Sequence, residues 1–129
     1  MRKMDKEVVI AKNGVPPVGP YSPGIKMGNW LFISGQGPMD PETKKIPEEF
    51  KDQVRVTLEN IKGIIEAAGG TMENIVKTTV FLKDMNNFNK MNRIYQKYFG
   101  KTPPARSCVE VARLPLDIQI ELEAIAYIP

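Results

Sequence analysis

Arg106 stands near the start of Pro104-Ala-Arg-Ser-Cys-Val-Glu-Val-Ala-Arg-Leu-Pro115, directly after a Pro-Ala step. A guanidinium is always charged and presents a planar fork of donors that matches a carboxylate. At the head of a predicted strand it is either a surface cation paired with a nearby acid or an anchor for an anionic ligand. Glu121 and Glu123, in the stretch IELEAIA, are acids two residues apart and so share one side of a strand. Either could polarise water, and either could simply pair with an arginine. The chain has no histidine, which removes the commonest general base near neutral pH and the commonest metal ligand. Cys108 is the single cysteine, so no internal disulfide can form and Cys/His zinc sites are excluded within a chain. Chemistry must come from Glu, Asp, Lys, Tyr, Cys108, backbone groups or bound water. Without a histidine to activate it, Cys108 reads as a small hydrophobe rather than a nucleophile.

The 129 residues suit a single domain, 1–129, large enough for a core without staples. No apolar run approaches the roughly 20 residues of a membrane span. The N-terminus, Met-Arg-Lys-Met-Asp-Lys, is basic but no apolar segment follows, so no signal peptide is expected. With the lone thiol, this points to a cytoplasmic protein. The net charge of +3 is mild and its cations are scattered, which argues against a nucleic-acid surface. A steep loss of RNA affinity with salt would reverse that view.

The elements that must position these residues are legible. Lys6 to Ala11 is a candidate first strand, and Asn13 to Gly24, with four prolines, an ordered loop. Ile25–Met27, a Gly28-Asn29 turn and Trp30–Gly35 form a hairpin, and Lys44–Ile46 a further short strand. In Glu48–Ala68, Val54, Leu58, Ile61 and Ile65 mark one face of a helix, which Gly69-Gly70 ends. Ile75–Lys83 is β-branched and strand-like. Asp84 caps a second helix running to Phe99, with Phe88, Met91, Tyr95 and Tyr98 as its apolar stripe and Asn92 outside it. The PARSCVEVARLP stretch and Asp117–Tyr127 are the last strands. The order β-ββ-α-β-α-β-β predicts an α+β sandwich of two layers, with both helices on one face of a mixed sheet. In the last strand Ile118, Ile120, Leu122, Ala124 and Ala126 suit the helix side. Gln119, Glu121, Glu123, Ile125 and Tyr127 form a second face, too apolar for plain solvent and too charged for a core. A homo-oligomer with polar clefts would cover it.

PARSCVEVARLP followed by IELEAIA resembles the signature of the RidA/YjgF family of enamine/imine deaminases. VGPYSPGIKMGNWLFISGQGPMDPET, TLENIKGIIEAAGGTMENIVKTTVFLKDM and FNKMNRIYQKYF are similar to further family segments, so the likeness spans about Glu7 to Tyr127. The resemblance implies a chorismate-mutase-like fold and a homotrimer with active sites between neighbouring subunits. By motif it implies that Arg106 holds the substrate carboxylate and Glu121 activates water. It places Tyr21, Ser34, Gly35 and Asn92 in the pocket, and Cys108 near the ligand through its backbone. Two positions depart from the pattern beside the pocket: Pro23, where members carry a non-proline such as Gln, and Gly37, where a large apolar residue, often Ile, is usual.

The implied reaction is hydrolysis of 2-imino acids, or enamines that isomerise to them, to 2-oxo acids and ammonia. It needs a carboxylate anchor, a positioned water and a proton relay, but no metal or cofactor. The rival expectations are a non-enzymatic binder of small carboxylates using the same cleft, and an RNA-directed translation inhibitor or ribonuclease.

Overall fold

The computed structural model describes residues 5–129; Met1 to Met4, the start of the basic N-terminus, lie outside the described residues. Among the described residues six strands run in the order β1 (Glu7–Val9), β2 (Gly24–Met27), β3 (Trp30–Gln36), β4 (Ile75–Leu82), β5 (Ala105–Glu110) and β6 (Ile120–Tyr127). Two helices, α1 (Phe50–Ala67) and α2 (Phe88–Phe99), separate β3 from β4 and β4 from β5. The strands form one sheet in the spatial order β1-β2-β3-β6-β4-β5. All pairings are antiparallel except β4 with β5, where α2 supplies the crossover a parallel pair requires.

The helical periodicity holds residue by residue. Val54, Leu58, Ile61 and Ile65 are completely buried, packed with Leu31, Val80, Leu82, Ile120 and Leu122 of the sheet in one apolar cluster. The alternation in β6 also holds: Ile120, Leu122, Ala124 and Ala126 are buried, whereas Glu121 and Ile125 are half-buried and Glu123 and Tyr127 exposed. Both helices therefore cover one face. The other face keeps Trp30 and Phe32 on β3 at 44% and 47% exposure, and Trp30 meets Tyr127 edge-on at 4.9 Å.

Several boundaries differ from the sequence reading, each for a local reason. Lys44 to Ile46 is not a strand: Lys44 has φ 63°, and the Asp40 carboxylate accepts from the Glu42 and Thr43 amides, closing a turn. β6 begins at Ile120 because Pro115–Asp117 forms a short 3-10 turn with Leu116 and Asp117 in left-handed backbone. Asp84 caps not α2 itself but a 3-10 turn, Met85–Asn87, that leads into it. β3 and β6 lose register between Ile33 and Gln36: three steps on β3 face two on β6, from Ala124 to Leu122. Such a bulge bends a strand and re-aims its residues, and here it falls on Ser34-Gly35.

Among the described residues no helix is long and apolar enough to cross a membrane.

Candidate active site

On the edge strand β5, Arg106 pairs with Thr78 and Cys108 with Val80 across the parallel ladder. Thr78 and Val80 are buried under the helices, so Arg106 and Cys108 lie on the helix side. There α2 supplies the surroundings of the guanidinium. Its carbon lies 4.8 Å from the Tyr95 ring centroid and 5.4 Å from that of Phe88, within the range of cation–π attraction. Nη1 donates to Asn92 Oδ1 at 2.8 Å. The Tyr95 hydroxyl shares a buried 2.7 Å hydrogen bond with Thr78 Oγ1, which locks the ring beside the arginine. Among the described residues no carboxylate pairs with Arg106. A half-buried cation with its side chain oriented by two rings and an amide, and with no carboxylate partner among the described residues, can pair with an anion.

Glu121 belongs to a different wall. It pairs with Phe81 of β4 and alternates with the buried residues of β6, so it faces away from the helices. Burial raises its pKa above the usual carboxylate range, and the neighbouring charge of Glu123 adds to the shift. Gly35 lies against it. A Cβ on Gly35 would stand 2.8 Å from the Glu121 carboxyl carbon and closer still to Oε2. Gly35 is not in left-handed backbone, so its lack of a side chain serves the approach of the carboxylate. Gly35→Ala should therefore displace Glu121 and lower kcat about 10²-fold, the cost of a misplacement near 1 Å, with circular dichroism unchanged. Full activity in that variant would show that the carboxylate position is not used.

Tyr21 and Glu121 both line a cavity of about 130 Å³ beside this carboxylate. Ser34 does not line it. Its hydroxyl donates to the Ser22 carbonyl at 2.6 Å and its amide to that of Pro23 at 2.9 Å. Ser34 thus braces the loop that carries Tyr21 instead of offering a free hydroxyl. Burial raises the pKa of Cys108, an effect only partly opposed by Arg106, which keeps the thiol protonated and agrees with its reading as no nucleophile.

The residues singled out from sequence fall into two groups. Arg106, Asn92 and Cys108 meet on the helix side of the edge strand; Tyr21, Gly35 and Glu121 meet at the bulge, with Ser34 behind them. Within one chain these groups sit on opposite faces of the sheet. β4 lies between their strands, two steps of about 4.8 Å. Within one chain Arg106 therefore does not pair with Glu121. The sequence reading missed Tyr95, Phe88 and Thr78 as the cradle of the arginine and put Asn92 outside the α2 stripe. Phe88, Asn92 and Tyr95 are spaced i, i+4, i+7, and an amide at the centre of that spacing was the available signal. Among the described residues no group of three or more Cys, Asp or Glu side chains converges as a metal site.

A family model described as Endoribonuclease L-PSP matches residues 11–128. A RutC family protein of Pyrococcus horikoshii is 57% identical over 95% of this chain and 98% of its own length. The 2-iminobutanoate/2-iminopropanoate deaminase of Escherichia coli is 47% identical over 93% of this chain and 96% of its own. The crystal structure of E. coli TdcF with bound serine superposes with a TM-score of 0.92 at 42% identity, covering 96% of this chain and all of that one.

Proposed function

On the premise that this chain belongs to the endoribonuclease L-PSP family, known also as RidA/YjgF, we propose that it hydrolyses reactive 2-imino acids to 2-oxo acids and ammonia. The observation that carries this is the unpaired Arg106 guanidinium, oriented by Tyr95, Phe88 and Asn92. It takes the substrate carboxylate as a charge-assisted pair and fixes the imine carbon in place. The Glu121 carboxylate takes a proton from water as the water oxygen bonds to that carbon. The C–N bond then breaks, the nitrogen leaves as ammonia with the protons relayed to it, and the carbonyl of the 2-oxo acid remains. The redox state does not change, so no oxidant or reductant is consumed.

Because Arg106 and Glu121 lie on opposite faces of one sheet, a second copy must bring one group to the other. The exposed Trp30 and Phe32 on the open face suit burial between copies, and in this reading the assembly is a homotrimer with three shared clefts. A relative that binds serine, a small molecule with a carboxylate, supports the same ligand chemistry. An RNA-directed activity, which the description of the family model carries, would require a basic groove with aromatic faces, and the cations here are scattered along the sequence.

The test is a coupled assay in which an amino-acid oxidase or a dehydratase generates the imine and semicarbazide traps what survives. The expected result is loss of the semicarbazone and ammonia release faster than in buffer. Binding of a 2-oxo acid with no acceleration would leave a carboxylate-binding protein in place of an enzyme.

A further inference from the structure

The cavity beside Glu121 has a composition that the deaminase chemistry alone does not require. Glu121 is the one charged residue among those that line it. Its other polar groups are largely committed. The Asn60 amide nitrogen donates to the carbonyls of Gly37 and Met39, both at 2.9 Å, and the Gln36 amide nitrogen donates to Ser34. Apart from the Tyr21 hydroxyl, which accepts from the Val18 amide at 3.4 Å, what remains for a ligand is largely apolar: Val18, Met39, Leu116 and Ile118 among the walls. Val18 and Leu116 are 83% and 69% exposed and extend the apolar lining to the rim of the cavity. Leu116 is moreover held at φ 58°, a backbone region that disfavours side chains and recurs at ligand clamps.

Gly37 gives this space a size. Its backbone is not left-handed, so conformation does not demand glycine there. A Cβ on Gly37 would stand 2.9 Å from Ile118 Cδ1, a wall of the same cavity. Any larger residue must push Ile118 aside or enter the free volume. About 130 Å³ is left, close to the roughly 150 Å³ that accepts benzene in an apolar protein cavity. A methyl or ethyl group would leave most of it empty.

On the basis of the deaminase reading, we propose that this site selects 2-imino acids with bulky apolar side chains, of the leucine or phenylalanine type, and that Gly37 sets that selectivity. The carboxylate of such a substrate goes to Arg106, C2 to the water at Glu121, and the side chain to the cavity between Ile118 and Leu116. The preference differs from the small side chains in the name of the E. coli relative, 2-iminobutanoate/2-iminopropanoate deaminase.

The experiment measures kcat/KM for imines generated from leucine, phenylalanine and alanine, in the wild type and in Gly37→Ala and Gly37→Ile. The wild type should favour the leucine-derived imine over the alanine-derived one by at least about tenfold. Gly37→Ile should cut that ratio by at least about 10–200-fold, the effect of a single methylene in an apolar pocket, because isoleucine adds four carbons. Gly37→Ala should fall between them, and it guards against a folding defect in the larger variant. In parallel, calorimetry compares 4-methyl-2-oxopentanoate with 2-oxopropanoate on the same three proteins. A wild-type preference for the small compound, or a ratio unchanged by both substitutions, overturns the proposal. Selective binding of the larger 2-oxo acid with no imine turnover supports the pocket assignment and overturns only the deaminase reading.

Discussion

Arg106→Lys is expected to lower kcat/KM for imine hydrolysis by about 10²–10³-fold while the protein stays folded. Lysine keeps the charge, so a site that needed only a positive potential would tolerate it. A planar fork cannot be replaced so easily: an ammonium loses the paired geometry with a carboxylate and the stacking against Tyr95 and Phe88. Hydrogen bonds to charged groups are worth about 1.5–3 kcal/mol each, so loss of one to two of them spans about 10–10⁴-fold, with the expected effect inside that range. KM should rise, because the substrate carboxylate is bound in ground and transition states alike. A further fall in kcat would report the loss of positioning. Arg106→Ala should be worse by leaving the carboxylate without a charged partner. Melting temperature is the control, since the guanidinium also covers part of two rings. Turnover within a few-fold of wild type in Arg106→Ala would end the assignment of Arg106 as the anchor.

The parts of the fold written in local periodicity were readable, and the parts written in long-range geometry were not. Val54, Leu58, Ile61 and Ile65 recur at helical spacing, and all four lie on the buried face of α1, which Phe50, Gln53, Thr57 and Ile64 complete. The alternation in β6 separates Leu122 from Glu121 on sequence alone, and their burial follows it. Lys44 to Ile46 failed because three residues carry too little pattern to outweigh a turn built by the Asp40 side chain. The site was legible as a set of residue types and illegible as an arrangement. Arg106 and Glu121 are 15 positions apart in sequence, yet their register against β4 sends them to opposite faces. That outcome depends on a strand order in which β6 inserts between β3 and β4, which no window of sequence encodes. Tyr95 shows the same limit: its place in the α2 stripe predicted burial, and its hydroxyl contact with Thr78 became visible only once β4 lay beneath it.

Glu121→Gln is expected to lower kcat by about 10²–10⁴-fold, the usual contribution of a positioned acid or base, and to change stability in the opposite sense. Both effects follow from one environment. Burial and the like charge of Glu123 disfavour the Glu121 carboxylate and raise its pKa. The charged form is the one that accepts a proton from water, so kcat/KM in the wild type should climb with an inflection above the ordinary value of about 4.3. Glu123→Gln removes the like charge and should move that inflection to lower pH with little loss of kcat; Glu121→Gln should abolish it. For stability, the folded state binds this proton more tightly than the unfolded chain. The stabilisation is therefore complete below the ordinary carboxylate range and is lost as pH rises through the raised value. Glutamine carries no charge to bury, so Glu121→Gln should melt above the wild type at neutral pH, and that advantage should vanish in acid. A residue with a merely structural role would lose stability when changed, and a fully solvated one would show no pH-dependent difference. If Glu123→Gln instead abolished turnover and Glu121→Gln did not, the water-activating role would pass to Glu123, which occupies the same face of β6 one pleat away.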